Sequence, residues 1–119
     1  MNYNQKIGQF GEGLAKDYLE KKGYKIISQN VKISFQEIDI IAKKDKLLVF
    51  VEVKTRTSKT YGEADEAVGN VKITNLMKGI QQYLHVNNLE QEPVRLDMIA
   101  IDIDKIKKIA KIKHYLDIF

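Results

Sequence analysis

Residues 37–54, EIDIIAKKDKLLVFVEVK, constrain the fold more than any other stretch of the chain. An alternating segment opens it, with Ile38 and Ile40 on one face and Glu37, Asp39 and Ile41 on the other. The polar residues Lys43 to Lys46 interrupt it, and a β-branched and aliphatic run, Leu47 to Val53, follows. This pattern predicts two strands joined by a short polar turn. A two-residue loop (Asp45, Lys46) or a four-residue loop (Lys44 to Leu47) sets Asp39 opposite Glu52 on one face, and Ile41 opposite Phe50. Lys54 follows Glu52 by two and shares that face. Two carboxylates and an amine then converge at one end of a mostly apolar sheet. Like charges across an antiparallel pair destabilise it, and close carboxylates raise at least one pKa. A divalent cation between them reverses the sign of the interaction, and Mg²⁺ suits one or two carboxylates with waters and phosphate oxygens. The plainer alternative leaves Asp39 and Glu52 in solvent and Lys54 in a surface ion pair.

A chain of 119 residues is one domain, residues 1–119, large enough to bury a single core. It contains no cysteine, which excludes disulfides, thiolate metal sites and cysteine nucleophiles together. No apolar run reaches transmembrane length, and MNYNQKIGQF lacks the apolar stretch of a signal peptide, so the expectation is a cytoplasmic protein with no membrane partner. The formal net charge of +4 comes almost entirely from lysine, with Arg56 and Arg95 the two arginines. That excess permits nucleic-acid binding without demonstrating it.

Ahead of the hairpin, Ile7, Phe10, Gly11, Leu14, Ala15, Tyr18 and Leu19 recur at helical spacing, which predicts a helix over about residues 6–22. Gly23 stands where a residue of positive φ would end it, with Tyr24 beyond as the apolar contact. Residues 24–33 read as a strand with a bulge near Gln29 and Asn30 that pairs with the hairpin in a three-stranded antiparallel meander. Residues 55–70 are polar, hold Gly62 and Gly69, and read as a loop or weak helix. In it Arg56, Lys59 and Tyr61 suit phosphate and base contact, while a solvated loop with no target is an equal alternative. Ile73, Leu76, Met77, Ile80, Tyr83 and Leu84 form a second helical stripe over residues 71–85, with Asn70 as its N-cap. Residues 94–103 form a strand that follows a helix and so joins the second hairpin strand in parallel. Arg95 and Asp97 share a face of it, as a structural ion pair or with Asp97 at the rim of a site. His85 and His114 have no metal-binding partner at useful spacing. In the last residues Ile106, Ile109 and Ile112 recur every three, which suits a helix. Ile112, His114 and Leu116 alternate, and an edge strand guarded by lysines is the preferred reading.

Asp39, twelve intervening residues and then Glu52-Val53-Lys54 resemble the PD-(D/E)xK nuclease signature, with Ile38 in place of its proline. More closely, QEIDIIA with FVEVKTR resembles the YraN-type family of small bacterial predicted endonucleases, related to archaeal Holliday-junction resolvases. The likeness runs from Gly8 to Phe119 and departs at Gln36, where that family usually has glycine. It implies an α/β, restriction-endonuclease-like fold: a mixed central sheet flanked by helices, in the order α-β-β-β-α-β with an extra edge strand. It also implies metal-dependent hydrolysis of DNA phosphodiesters, with branched or damaged DNA among the substrates.

Under that resemblance Asp39, Glu52 and Glu12 hold one or two Mg²⁺ (or Mn²⁺) ions, with the Val53 carbonyl as a further ligand. Glu12 enters because a Gly-Glu pair supplies a carboxylate in the family, and Gly11-Glu12 matches it. Read without the family, Glu12 is a solvated first-turn acid favoured by the helix dipole. Lys54 completes the catalytic set by orienting or deprotonating the attacking water, or by stabilising the transition state. Lys72 would reach the scissile phosphate, as a Lys or Gln does in related nucleases, or remain a surface lysine. Glu37 faces the same way as Asp39 and would support it from behind. Cutting a junction takes two incisions, which would favour a homodimer. The alternative to an enzyme is a nucleic-acid-binding or assembly module that keeps the nuclease scaffold with little turnover.

Overall fold

The computed structural model describes residues 2–33, 35–57 and 70–119, the last with side chains from Lys72 onward. Lys59 and Tyr61 lie outside the described residues. The first helix, α1, spans Tyr3–Lys21 and starts earlier than its apolar stripe indicates. Asn2 and Gln5 form a capping box: the Asn2 side chain accepts the Gln5 N–H at 2.8 Å, and the Gln5 side chain accepts the Asn2 N–H at 3.1 Å. Gly23 ends the helix at φ +93, and the N–H of Tyr24 returns to the Leu19 carbonyl at 2.9 Å. That turn is open to glycine because it lacks a Cβ.

Three antiparallel strands follow, β1 (Lys25–Ile33), β2 (Gln36–Lys44) and β3 (Leu47–Arg56). The irregularity in β1 falls between Ile26 and Ser28, three residues before the expected position. Asn30, where the bulge was expected, instead adopts a positive φ of 53. β2 and β3 meet through the two-residue loop Asp45–Lys46, with Asp45 at φ 55, and pair in the expected register, Ile41 opposite Phe50. Helix α2 (Asn70–Val86) crosses to β4 (Val94–Asp104), which lies parallel to β3. β5 (Ile109–Tyr115) pairs antiparallel with β4, so the alternation in the last residues prevails over the three-residue repeat of isoleucines. The sheet order β1-β2-β3-β4-β5 and the element order α-β-β-β-α-β-β give the mixed sheet with flanking helices and an extra edge strand.

Each helix covers one side of the sheet. Ala15 and Leu19 of α1 pack with Ile40, Ala42, Val49, Val51, Ile99 and Ile101. Leu76, Ile80 and Leu84 of α2 pack with Ile33, Ile38, Ile41, Leu48, Phe50 and Leu96. Ile38 and Ile40 therefore belong to opposite layers, contrary to the shared face that alternation predicts. The break has a local cause. The β2–β3 ladder stops at Ile40 and Val51, and beyond it the Asp39 side chain, rather than backbone, accepts the Val53 N–H at 2.7 Å. On the other side the β1 pairing also skips Asp39, opposite Asn30 at positive φ, and resumes at Val31 and Ile38, with Ile38 packed against α2. At the other end of the interface, α1 approaches β3 so closely that a Cβ on Gly11 would collide with the Thr55 hydroxyl. Glycine is what permits this approach, and it brings Glu12 over the end of β3.

Candidate active site

Asp39, Glu52 and Lys54 come together where β2 and β3 leave their ladder. Glu52 is only 6% exposed. Its Oε1 accepts a hydrogen bond from Lys72 Nζ at 3.1 Å, an ion pair between β3 and the first turn of α2. Its Oε2 is buried and has no hydrogen-bond partner. An unsatisfied carboxylate oxygen in a protein interior is costly and calls for an explanation such as an absent ion. Burial raises the Glu52 pKa, and Lys72 and Lys54 oppose that rise.

Asp39 is half-buried and shows the strongest perturbation of the three carboxylates. Burial first, then the neighbouring Glu52, push its carboxyl up to about 7, against the lowering effect of the Val53 N–H. Glu12 and Glu37 add to the push. Glu12 is also raised, by burial first, while a hydrogen bond with Asn30 pulls it back and Glu37 and Glu52 repel it. The four acids thus feel one another across a shared space. Among the described residues, however, no three His, Asp or Glu side chains gather closely enough to hold an ion together. The close set is Asp39 and Glu52, while Glu12 stands on the helix side. Glu12 forms the common wall of two clefts, one of about 460 Å³ with Val53, Lys54 and Arg56, the other of about 520 Å³ with Asn30 and Glu37.

The donor set suits Mg²⁺ or Mn²⁺: two carboxylates, one with a buried oxygen that has no hydrogen-bond partner, next to a cleft lined by Val53 and Lys54. A cation would also offset the burial and the repulsion from Glu52 that raise the Asp39 carboxyl. Of the residues assigned to nucleic acid, Arg56 lines the first cleft, and Lys72, partly exposed, pairs with Glu52.

Sequence reasoning misses two features. Lys72 as the counter-ion of Glu52 joins residues 20 apart, and no periodicity reports such a pair. His114, which stands isolated in the sequence, belongs to a second polar cluster. The fully buried Asp97 accepts from Arg95 Nε and Nη2 at 2.8 Å each and from the Asp117 N–H at 2.9 Å, and His114 Nε2 lies 2.8 Å from it. Arg95 also donates to Tyr24 at 2.8 Å, and His114 Nδ1 meets Tyr18 Oη at 3.2 Å. Burial alone would raise the Asp97 pKa, but the bonds with His114, Arg95 and Asp117 outweigh it and hold the carboxyl low. The Arg95–Asp97 ion pair is thus present, and with His114 and Asp117 it ties β5 and the residues after it to β4.

Residues 11–101 match the model of a family described as "Uncharacterised protein family UPF0102". The chain belongs to this family, the YraN-type family that its motifs resemble. A UPF0102 protein of Flavobacterium psychrophilum is 43% identical over 113 residues, covering 95% of this chain and 92% of the relative. One from Caldicellulosiruptor bescii is 43% identical over 121 residues and covers both chains completely. Among solved structures, the chain is similar to Pyrococcus furiosus SfsA in complex with Ca²⁺, at a TM-score of 0.44 and 12% identity. That match covers 95% of this chain and 64% of SfsA, so the chain spans less than two thirds of that structure. It is also similar to an fdxN element excision controlling factor protein of Anabaena variabilis, at a TM-score of 0.44 and 16% identity, covering 88% of this chain and 97% of the other. Among the described residues no helix is long and apolar enough to cross a membrane.

Proposed function

We propose that the protein is a metal-dependent nuclease that hydrolyses DNA phosphodiester bonds at the end of β3. The observation that carries this reading is the buried Glu52, its Oε2 unpartnered, beside the half-buried Asp39. Asp39, Glu52 and the Val53 carbonyl would hold Mg²⁺ or Mn²⁺, with Glu12 acting from α1. The ion supplies an acidified water and neutralises charge on the phosphoryl oxygens. The Val53 N–H holds one of the Asp39 oxygens in place. Lys54, beside Glu52 and lining the cleft, is placed to orient the attacking water or to stabilise the pentavalent phosphoryl group. Lys72 neutralises Glu52 while no ion is bound, and is positioned to turn to the scissile phosphate when one is. Glu37 repels all three acids and so would add to the negative potential that a cation relieves. Arg56, with Lys59 outside the described residues, would take the flanking phosphates. Branched DNA, cut by a homodimer in the cytoplasm, is the substrate setting the family likeness favours.

One observation favours a second reading, a nucleic-acid-binding module with little turnover. Lys72 already satisfies Glu52 Oε1, as it would in a scaffold that had no use for an ion. A panel of branched, nicked, single-stranded and duplex DNAs, with Mg²⁺ or Mn²⁺, separates the two. The nuclease reading expects cleavage of at least one substrate by the wild type and none by Glu52→Ala. Binding without metal-dependent cleavage on every substrate would establish the module instead.

A further inference from the structure

The sheet register carries the basic side chains of the site outward to the far edge. Parallel pairing sets Lys54 beside Ala100 and Arg56 beside Asp102. Antiparallel pairing then sets Lys113 beside Ala100 and Lys111 beside Asp102. Directly paired residues project from the same face of a sheet. Lys111 and Lys113, both exposed, therefore stand on the face of Lys54 and Arg56, two strands or roughly 10 Å away. Only the Ala100 methyl lies between Lys54 and Lys113 in their row.

The turn above β5 reaches the opposite, α1 side of the sheet. Asp104 Oδ1 accepts the N–H groups of Ile106 and Lys107 at 3.0 Å each, and Lys108 takes a positive φ of 55, so the turn has a defined shape. Lys105 Nζ lies 4.0 Å from the centroid of the Tyr3 ring, and Tyr3 lines the cleft that holds Glu12, Lys54 and Arg56. The hairpin and the site are thus joined through Tyr3 as well as through the sheet.

Charge bears on what this surface meets. Residues 105–113 contain five lysines and no acid, leaving fifteen basic against sixteen acidic residues in the rest of the chain. The whole positive excess of the protein resides in residues 105–113. One or two lysines suffice to guard an edge strand against pairing, so five exceed that need even with Asp102 beside Lys111. β5 is seven residues long, roughly 23 Å, while a duplex carries one negative charge per about 1.7 Å of its axis. The edge therefore spans several phosphates. Ile106 and Ile109 are its exposed apolar side chains, too little area to anchor a hairpin in a lipid surface.

We propose that the β4–β5 hairpin is a docking arm for duplex DNA, its lysines holding the phosphate backbone a few base pairs from the bond that lies at Glu52 and Lys54. The proposal rests on the nuclease reading for its substrate, but it concerns binding and is tested without catalysis. Affinity of a fluorescent duplex is measured in EDTA across a salt series, for the wild type and for Lys107→Gln/Lys108→Gln/Lys111→Gln. Each phosphate contact contributes about 0.9 to the slope of log affinity against log salt. The variant should lower that slope by about 2 to 3 and weaken binding at least tenfold at 0.1 M salt, with an unchanged melting temperature. An unchanged slope and affinity would overturn the arm. So would wild-type binding to vesicles of anionic phospholipid together with no binding to the duplex. If the variant loses duplex binding while the wild type cleaves nothing in Mg²⁺, the arm stands and the nuclease reading falls. If the variant binds and cleaves like the wild type, the arm alone falls.

Discussion

Replacing Asp39 by Asn should make the metal-free protein more stable at alkaline pH than the wild type, by an amount that depends on pH. In the unfolded chain Asp39 titrates near 3.8, while in the folded protein burial and Glu52 lift it to about 7. A raised carboxyl means that the folded state binds the proton more tightly. The stability it contributes is complete below the unfolded value and is lost as pH rises through the folded one. With those two pKa values, the loss between pH 5 and pH 8 is about 2–3 kcal/mol. Asn keeps an oxygen to accept the Val53 N–H and carries no charge, so this loss disappears in the variant. Urea unfolding in EDTA at pH 5, 6.5 and 8 measures the difference between the two proteins, in which most other titrations cancel. That difference should shift in favour of Asn by about 2–3 kcal/mol over the range. A difference independent of pH, or a variant less stable at pH 8 than at pH 5 relative to wild type, would refute the reasoning.

Other substitutions probe the parts that position the site. Lys72→Ala leaves Glu52 without its counter-ion; because Lys72 is 41% exposed, the cost should be about 1 kcal/mol at pH 8, read by urea unfolding. The same variant should bind Mn²⁺ more tightly, since nothing competes for Oε1, and cleave more slowly. Gly11→Ala forces a methyl onto Thr55 and should cost about 1–3 kcal/mol in a thermal melt, largely recovered by adding Thr55→Ala. Asp97→Asn removes the charge that Arg95 and His114 share in a fully buried place, and should cost about 3–5 kcal/mol without altering cleavage per folded molecule.

The parts legible in the sequence are those whose signal is local. The hairpin register followed from the alternation around Asp45 and Lys46, and Gly23 marked the end of α1 because only its position in the chain mattered. The apolar stripe of α2 and the alternation of Ile112, His114 and Leu116 each reported their own element. Alternation failed at Ile38, where a side chain, Asp39, takes the place of a ladder partner. Asn2 and Gln5 extend α1 through capping, which carries no apolar periodicity. The convergence of Asp39 with Glu52 was legible because one turn joins their strands. Lys72 with Glu52, and His114 with Asp97, were not, because those pairs exist only once α2 and β5 have docked on the sheet.

The central claim is that Asp39 and Glu52 form a site for a divalent cation, and Mn²⁺ titration calorimetry at pH 7 tests it most directly. Asp39 is about half protonated at that pH, so binding should release about half a proton per ion, seen as a heat that varies with the ionisation enthalpy of the buffer. The wild type should bind Mn²⁺ with that proton release, Lys54→Ala should retain binding, and Asp39→Asn and Glu52→Gln should lose it. A wild type that binds no ion, or neutralised variants that bind as the wild type does, would contradict the claim.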